Sequence, residues 1–220
     1  QKINGEIVDA IGPIAHKWDT LVICVVHIAV IAVAGELQHI GGHPVIPVSA
    51  QKEAMNTKDY ILVINTYTEA FAWSNRLIFT ATEFVKDDPH LAIYAEHMNL
   101  LMMDNDSTLC EFKTNLFEKY GSHSPRALLL LGNSTLMLRD DFRKVWGDVP
   151  IILCSEKDYI GPREYYLKKH PVPPSERIPL TELAQPYNLV LLYSNQYIRE
   201  NLELMFHILP GMKKLIYVGD

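Results

Sequence analysis

Apolar and polar residues follow two different periods along this chain, and from residue 58 onward the two periods alternate. Continuous apolar runs of strand length occupy residues 60–67, 91–98, 126–133, 149–154 and 188–193. Between them, apolar residues recur at helical spacing in segments 70–85, 106–121, 134–146 and 195–210. Strands that alternate with helices of about a dozen residues are typical of βαβ units. The predicted fold class is therefore α/β: an open, mostly parallel sheet with helices on both faces, in a three-layer Rossmann-like or flavodoxin-like arrangement.

The domain organisation predicted from this pattern is one lobe with a segment on each side. The lobe covers residues 58–212 and includes a Pro-rich and charged stretch, 155–187, that has little periodicity. A last strand is predicted at 213–220, and no helix follows it. We therefore expect 213–220 to begin a second lobe, and we expect residues 1–57 to be a leader or an N-terminal extension.

The strongest apolar segment of the chain, residues 21–34, is open to two interpretations. It has 14 residues, and a membrane-spanning helix needs about 20. The length and the small residues at its end favour the hydrophobic region of an export signal. The alternative is a buried helix or strand that belongs to the fold.

Composition and charge exclude several classes of partner and cofactor. The formal net charge is −6 and the chain has no basic stripe, so we expect no nucleic-acid partner. Cys24, Cys110 and Cys154 are too few for a disulfide framework, and their spacing fits no zinc site. His39 and His43 have the spacing of metal ligands on a helix, but the two glycines between them favour a loop. We predict neither a metal site nor a cofactor.

The predicted carboxyl ends of the strands carry small polar and aromatic residues. Ligands of open parallel α/β sheets bind beyond these ends, close to the topological switch point. Such side chains can form hydrogen bonds to a neutral or weakly charged small molecule and stack on it, so we predict binding and no catalytic residue. The structural alternatives are that Trp73 belongs to the core and that Ser134 caps a helix. The predicted ligand-binding residues are Asn65, Tyr67, Thr68, Glu69, Trp73, Asn133, Ser134 and Ser155.

Known catalytic motifs are missing from the sequence. It contains no G-x-x-x-x-G-K-[ST] phosphate loop, and the first predicted strand is followed by NTYTEA where a dinucleotide-binding fold has G-x-G-x-x-G. The segment GNSTL places Ser134 after a glycine, but Leu136 stands where a nucleophile elbow has its second glycine. An α/β hydrolase or transferase that uses Ser134 or His97 remains as an alternative.

Two longer stretches resemble a known family. ILVINTYTEAFAWSN, residues 61–75, resembles the first strand and helix start of periplasmic-binding-protein-like, ABC-type substrate-binding-like domains, in which a tryptophan follows an NSY-type tripeptide. NLVLLYSNQYIRENLELMFHILPGMKKLIYVGD, residues 188–220, is similar to the segment that leads into their second lobe. The resemblance covers residues 58–220 and implies a type I lobe that closes with a second lobe on a ligand. It places Tyr67, Thr68 and Trp73 at the cleft, with Asn133 and Ser134 beside them.

The same resemblance implies a function in signal transduction. Such domains occur as extracytoplasmic sensors of membrane-bound two-component hybrid histidine kinases, so this domain would bind a small molecule without reacting with it. The parent protein would be a histidine kinase, anchored in the inner membrane with the sensor in the periplasm. One alternative is the solute-binding protein of an ABC-type transporter, and a second is the hydrolase or transferase named above. A homodimer is also expected, because an incomplete lobe exposes an apolar face.

Overall fold

Strands and helices alternate in the computed structural model of the chain, which describes residues 59–193, 198–209 and 211. The strands are β1 (Asp59–Asn65), β2 (Leu91–His97), β3 (Ala127–Leu131), β4 (Ile151–Ser155), β5 (Tyr159–Ile160), β6 (Ile178–Pro179) and β7 (Leu189–Tyr193). The α-helices are α1 (Ala72–Val85), α2 (Asp106–Tyr120), α3 (Arg139–Trp146), α4 (Arg163–Leu167), α5 (Leu180–Leu183) and α6 (Ile198–Ile208). Short 3-10 helices cover Leu100–Met102, Asn133–Leu138 and Pro174–Glu176. The leader predicted in 1–57, including 21–34, and the strand predicted at 213–220 lie outside the described residues.

Within the described residues, five strands form one parallel sheet in the order β2-β1-β3-β4-β7. Numbered along the chain, this order is 2-1-3-4-5, the flavodoxin-like arrangement of a doubly wound sheet. The predicted three-layer α/β fold is confirmed. The switch point lies between β1 and β3, because the chain passes to opposite sides of β1 when it enters β2 and β3. The loops that follow β1 and β3 therefore border the crevice where ligands of this fold class bind.

The sheet is buried on both faces, which explains why its strands are continuous apolar runs. In β1, Leu62 and Ile64 face one core, and Ile61 and Val63 face the other. Helices α2 and α3 cover the first core, whereas α1 covers the second through Leu77. The β1–α1 loop and the segment after β3 therefore lead to helices on opposite faces of the sheet.

The stretch 155–187, expected to be irregular, folds into small elements on the first core. Strands β5 and β6 pair antiparallel, and buried Ile160, Leu167 and Leu180 anchor the stretch to the first core. Gly161 permits a close approach, because a Cβ there would lie 2.3 Å from Cγ1 of Val172. These contacts are tertiary and have no regular spacing, so hydrophobic periodicity does not reveal them.

Helix α6 differs from the other long helices in its exposure to solvent. Leu204, Phe206 and Ile208 are each more than half exposed. In the part of the chain that the structure describes, no helix is both long enough and apolar enough to cross a membrane.

Candidate functional site

The last residue of β1, Asn65, forms hydrogen bonds that orient the last residue of the neighbouring strand β2. Its carboxamide oxygen accepts from the Tyr67 backbone N–H at 3.2 Å, so its Nδ2 donates to His97 Nδ1 at 2.9 Å. Because Nδ1 of His97 is an acceptor, the proton of the neutral ring is on Nε2. Asn65 is fully buried, so within the described residues its side chain serves to orient His97 and the Tyr67 backbone.

His97 is half-buried and is held in its neutral form. Burial lowers the pKa of the His97 imidazole, while the nearby carboxylates of Glu69 and Glu96 act in the opposite direction. A hydrogen bond between the ring and the Tyr67 backbone also raises the pKa, so His97 is tied to the loop after β1 as well as to Asn65. His97 was not among the predicted ligand-binding residues, although the register that pairs it with Asn65 across β1 and β2 places both at the same edge.

Three aromatic side chains, Tyr67, Phe71 and Trp73, form what we call the aromatic cluster. The Tyr67 and Phe71 rings stack with centroids 4.1 Å apart at 24°, and Trp73 meets Tyr67 edge-on at 6.1 Å and 86°. Phe71 is 42% exposed, and Tyr67 and Trp73 are half-buried. Trp73 also packs against the second core, as the structural alternative expected. The cluster gives an exposed apolar surface that is fixed to the sheet, which suits stacking on a ligand.

Thr68 and Glu69 lie in the loop that connects the members of the aromatic cluster. The Phe71 N–H donates to the Thr68 carbonyl at 3.2 Å, and Asn75 Nδ2 donates to the Glu69 carbonyl. The main chain of the loop is thus held in a turn. Thr68 is half-buried, and Glu69 is exposed to solvent on the side of His97.

The loops on the two sides of the switch point are joined by a hydrogen bond between Thr66 and Ser134. Their hydroxyl oxygens are 2.8 Å apart, and the residues are only 6% and 3% exposed. Gly132 has a φ of 96°, and a Cβ there would lie 2.6 Å from the Thr66 hydroxyl oxygen, so glycine is needed for this approach. The predicted role of Ser134 as a helix cap is wrong, because Gly132 precedes the 3-10 helix with no side-chain cap.

Asn133 and Ser155 lie at the same edge of the sheet but form internal hydrogen bonds. Asn133 Nδ2 donates to the Tyr159 carbonyl at 2.8 Å and to the Tyr166 hydroxyl at 3.3 Å. Ser155 Oγ donates to the Lys157 carbonyl at 2.7 Å and is 1% exposed. Both side chains brace the loop after β4.

The predicted residues thus separate into an accessible group and a buried group. Tyr67, Thr68, Glu69 and Trp73 come together in one accessible loop, with Asn65 beneath it. Asn133, Ser134 and Ser155 are near the same edge but buried, and the Asn133 Nδ2 and both serine hydroxyls already have partners. Phe71 and His97 join the accessible group although the predicted set omitted them.

The chemical capacity of this edge is hydrogen bonding and stacking. Among the described residues, no group of three or more His, Cys, Asp or Glu side chains could hold a metal ion. Cys154 at the end of β4 is buried, and burial raises the pKa of its thiol to about 12, so the thiolate is scarce at neutral pH. The groups accessible at this edge are the aromatic cluster and Glu69, with His97 half-buried beside them.

A comparison with models of known protein families finds no match for this chain, and a comparison with curated proteins finds none either. Assignment of a function therefore depends on the fold and on the geometry of the site.

Proposed function

We propose that this chain is a ligand-binding lobe of an extracytoplasmic sensor, which recognises a small molecule without reacting with it. The observation that carries the proposal is the aromatic cluster at the carboxyl edge of the sheet, next to a neutral His97 oriented by Asn65. The β1–α1 loop that carries it borders the switch point, where ligands of doubly wound sheets bind.

The ligand class that fits these groups is a neutral, hydroxyl-bearing molecule such as a saccharide. The face of the Tyr67–Phe71 pair can cover the apolar face of a sugar ring. The exposed Glu69 carboxylate accepts hydrogen bonds, so hydroxyl groups of the sugar would find an acceptor beside the aromatic cluster. Sites of this kind fix orientation with a few polar groups set in apolar surface.

The proposed parent protein is a membrane-bound two-component hybrid histidine kinase with this domain in the periplasm. The support is the resemblance of residues 61–75 and 188–220 to substrate-binding-like sensor domains, together with the doubly wound sheet. Glu69 and Phe71 are exposed at this edge, so a ligand held there could also be contacted by a second lobe. Closure of two lobes on a ligand is a known means of converting binding into a signal.

The position of Ser134 argues against the hydrolase alternative. Its hydroxyl is buried and bonded to Thr66, whereas His97 ends a strand on the other side of β1. Strands are about 4.8 Å apart, so the ends of β2 and β3 are separated by about 10 Å, beyond the reach of a nucleophile–base hydrogen bond.

The test of the binding claim uses a panel of neutral mono- and disaccharides and the purified chain. Thermal shift measurements would identify a saccharide that stabilises the protein, and titration would give its Kd. We expect Tyr67→Ala and Trp73→Ala to weaken that Kd about tenfold through lost stacking and apolar contact. Phe84→Ala is the matched control, because Phe84 is a 53% exposed aromatic residue at the far end of α1.

Two results would count against the proposal: no saccharide of the panel binds, or a bound saccharide keeps its Kd in both cluster variants.

The signalling role has a separate test in the gene downstream of Asp220. A transmembrane segment followed by a histidine kinase supports the sensor, and a neighbouring ABC-type permease gene supports the transporter alternative.

A further inference from the structure

A cavity lies on the opposite face of the sheet from the aromatic cluster. Its volume is about 680 Å³, within the range of roughly 300–1,000 Å³ typical of small-molecule sites. The start of α3 forms one wall, and the segments at 160–163 and 175–178 form the other. Ile160 belongs to the first core, whereas Trp73 packs on the second, so this groove is separate from the proposed saccharide site.

The groove is locally cationic in an acidic protein. Four cationic and three acidic side chains line it, so its net charge is +1, whereas the whole chain carries −6. Apolar groups from Met137 and Pro162 complete the wall. The cationic side chains are Lys113, Arg139, Arg163 and Arg177, and the acidic ones are Asp140, Asp141 and Glu176.

Each acidic side chain of the groove already has a partner. Lys113 Nζ is 2.7 Å from Asp141 Oδ1, and the Tyr187 hydroxyl donates to Asp140 at 2.7 Å. Glu176 accepts from the Tyr165 hydroxyl at 2.6 Å. These contacts occupy part of the carboxylates' accepting capacity, which leaves the arginines as the side chains with spare capacity.

Arg139 has hydrogen-bonding capacity that its surroundings do not use. Its Nη1 donates to the Leu136 carbonyl at 3.0 Å, but its nearest carboxylate contact, with Asp140, is 3.8 Å long. Its buried Nε has no hydrogen-bond partner among the described residues. A buried guanidinium N–H without an acceptor is costly, and a small rotation of the side chain toward an anion in the groove would relieve it.

Arg177 and Arg163 face the groove from the other wall. The Arg177 guanidinium carbon lies 4.2 Å above the Tyr159 ring, and its Nε donates to the Val172 carbonyl at 3.1 Å, so the side chain is held in place. Within the described part of the chain, no carboxylate forms an ion pair with Arg177. Arg163 is 3.3 Å from Asp106, but both side chains are more than half exposed and such pairs are weak.

The wall that carries these arginines is braced from the sheet. Asn133 holds the Tyr159 carbonyl and the Tyr166 hydroxyl, and that hydroxyl accepts from the Gly161 N–H at 3.1 Å. A site whose wall is already fixed loses little conformational entropy when a ligand binds.

From this geometry we propose that the groove binds a small organic anion through its carboxylate or phosphate oxygens, with Arg139 and Arg177 as the principal ligands and Arg163 at the rim. Guanidinium groups match both oxyanions with two parallel hydrogen bonds. The apolar side chains of the wall would cover the rest of the molecule. This anion site does not depend on the proposed saccharide site.

The test is an NMR titration of the ¹⁵N-labelled chain with citrate and with inorganic phosphate at constant ionic strength. We expect saturable shifts of the Gly161, Arg163 and Arg177 amides for at least one probe. Arg139→Gln and Arg177→Gln should each weaken the Kd about tenfold or more, because each removes charge-assisted hydrogen bonds. Arg199→Gln is the matched control, since Arg199 is 86% exposed on α6 and does not line the groove.

Specific results of this titration would overturn the proposal. No saturable shift with either probe, or an unchanged Kd in the Arg139→Gln/Arg177→Gln double variant, overturns the proposal. An equal loss of affinity in Arg199→Gln would mean that binding depends only on the overall charge of the chain, and it would also overturn the proposal. If Arg139→Gln fails to fold, Arg177→Gln alone decides the test, because Arg177 is the other principal ligand and is exposed, and an unchanged Kd in that variant overturns the proposal. Tyr67→Ala should leave anion binding intact, so failure of the saccharide site and failure of this one are distinguishable.

Discussion

Removal of one partner of the hydrogen bond between the Thr66 and Ser134 hydroxyls should lower the free energy of unfolding, because the other hydroxyl stays buried without a partner. The two residues are 6% and 3% exposed, so water cannot replace a lost partner. Ser134→Ala leaves the Thr66 hydroxyl buried without a partner, and Thr66→Val does the same to Ser134. A buried polar group left unpaired costs about 1–3 kcal/mol, which is a large part of a typical stability of about 5–15 kcal/mol.

The double variant should be less damaging than the sum of the two single variants. When both hydroxyls are replaced by apolar groups of similar shape, no polar group is left unpaired, so the change can be close to neutral. We expect Thr66→Val/Ser134→Ala to lose no more than either single variant. The resulting interaction free energy would be about 1–3 kcal/mol in favour of the double variant.

The measurement is urea unfolding followed by circular dichroism, with free energies of unfolding compared at unchanged m-values. The control is Thr82→Val, because the Thr82 hydroxyl donates to the Ile78 carbonyl at an exposed position, and surface changes usually stay within about 0.5 kcal/mol. If the two single effects simply add in the double variant, the hydroxyls do not depend on each other and the reasoning is refuted.

Three further predictions concern the same edge of the sheet and the thiols. Gly132→Ala should lower the free energy of unfolding by about 2 kcal/mol or more, because the added Cβ would sit at a φ of 96° and 2.6 Å from the Thr66 hydroxyl oxygen. An unchanged urea midpoint would contradict this. Burial lowers the pKa of His97 below the ordinary 6.5, so the unfolded chain takes up the proton first and the free energy of unfolding should fall as pH drops below 6.5. An NMR titration that places the folded His97 at or above 6.5 would refute that sign. Brief alkylation followed by peptide mass mapping should modify exposed Cys110 and spare buried Cys154, whose raised pKa suppresses the thiolate; equal rates would count against the burial.

Strand positions could be predicted from the sequence because both faces of the sheet are buried. The run predicted at 60–67 ends at Asn65, and the run predicted at 149–154 became Ile151–Ser155. Apolar residues on both faces leave a continuous signal that needs no tertiary information. The placement of polar residues at the strand ends followed from the same signal.

The orientation of those polar side chains could not be predicted, because their partners are remote in sequence. Ser134 fits the local statistics of a helix cap, but its hydroxyl pairs with Thr66, 68 positions earlier. The segment predicted as the start of a helix at 134 is instead a 3-10 helix, and the Thr135 hydroxyl there donates to the Gly132 carbonyl at 2.7 Å. Local side-chain bonds of this kind compete with helix formation.

The groove lined by Arg139, Arg163 and Arg177 could not be predicted from the sequence either. Arg139 and Arg177 are 38 positions apart and belong to segments with no shared pattern. They meet because the apolar contacts of Ile160 and Leu180 fold the stretch 155–187 back on the first core. Contacts set by packing have no regular spacing, so only the folded chain brings these charges together.

The four residues from Gly132 to Thr135 have an evolutionary consequence. Gly132 supplies a backbone angle, Asn133 braces a neighbouring loop, Ser134 pairs with β1's loop and Thr135 bonds back to Gly132. Each of these side chains or backbone angles already has a structural role. A substitution at any of the four positions therefore removes a hydrogen bond or a backbone conformation that the neighbouring residues do not replace. Homologous sequences should therefore keep this tetrapeptide, while the exposed residues of 67–71 are free to vary more.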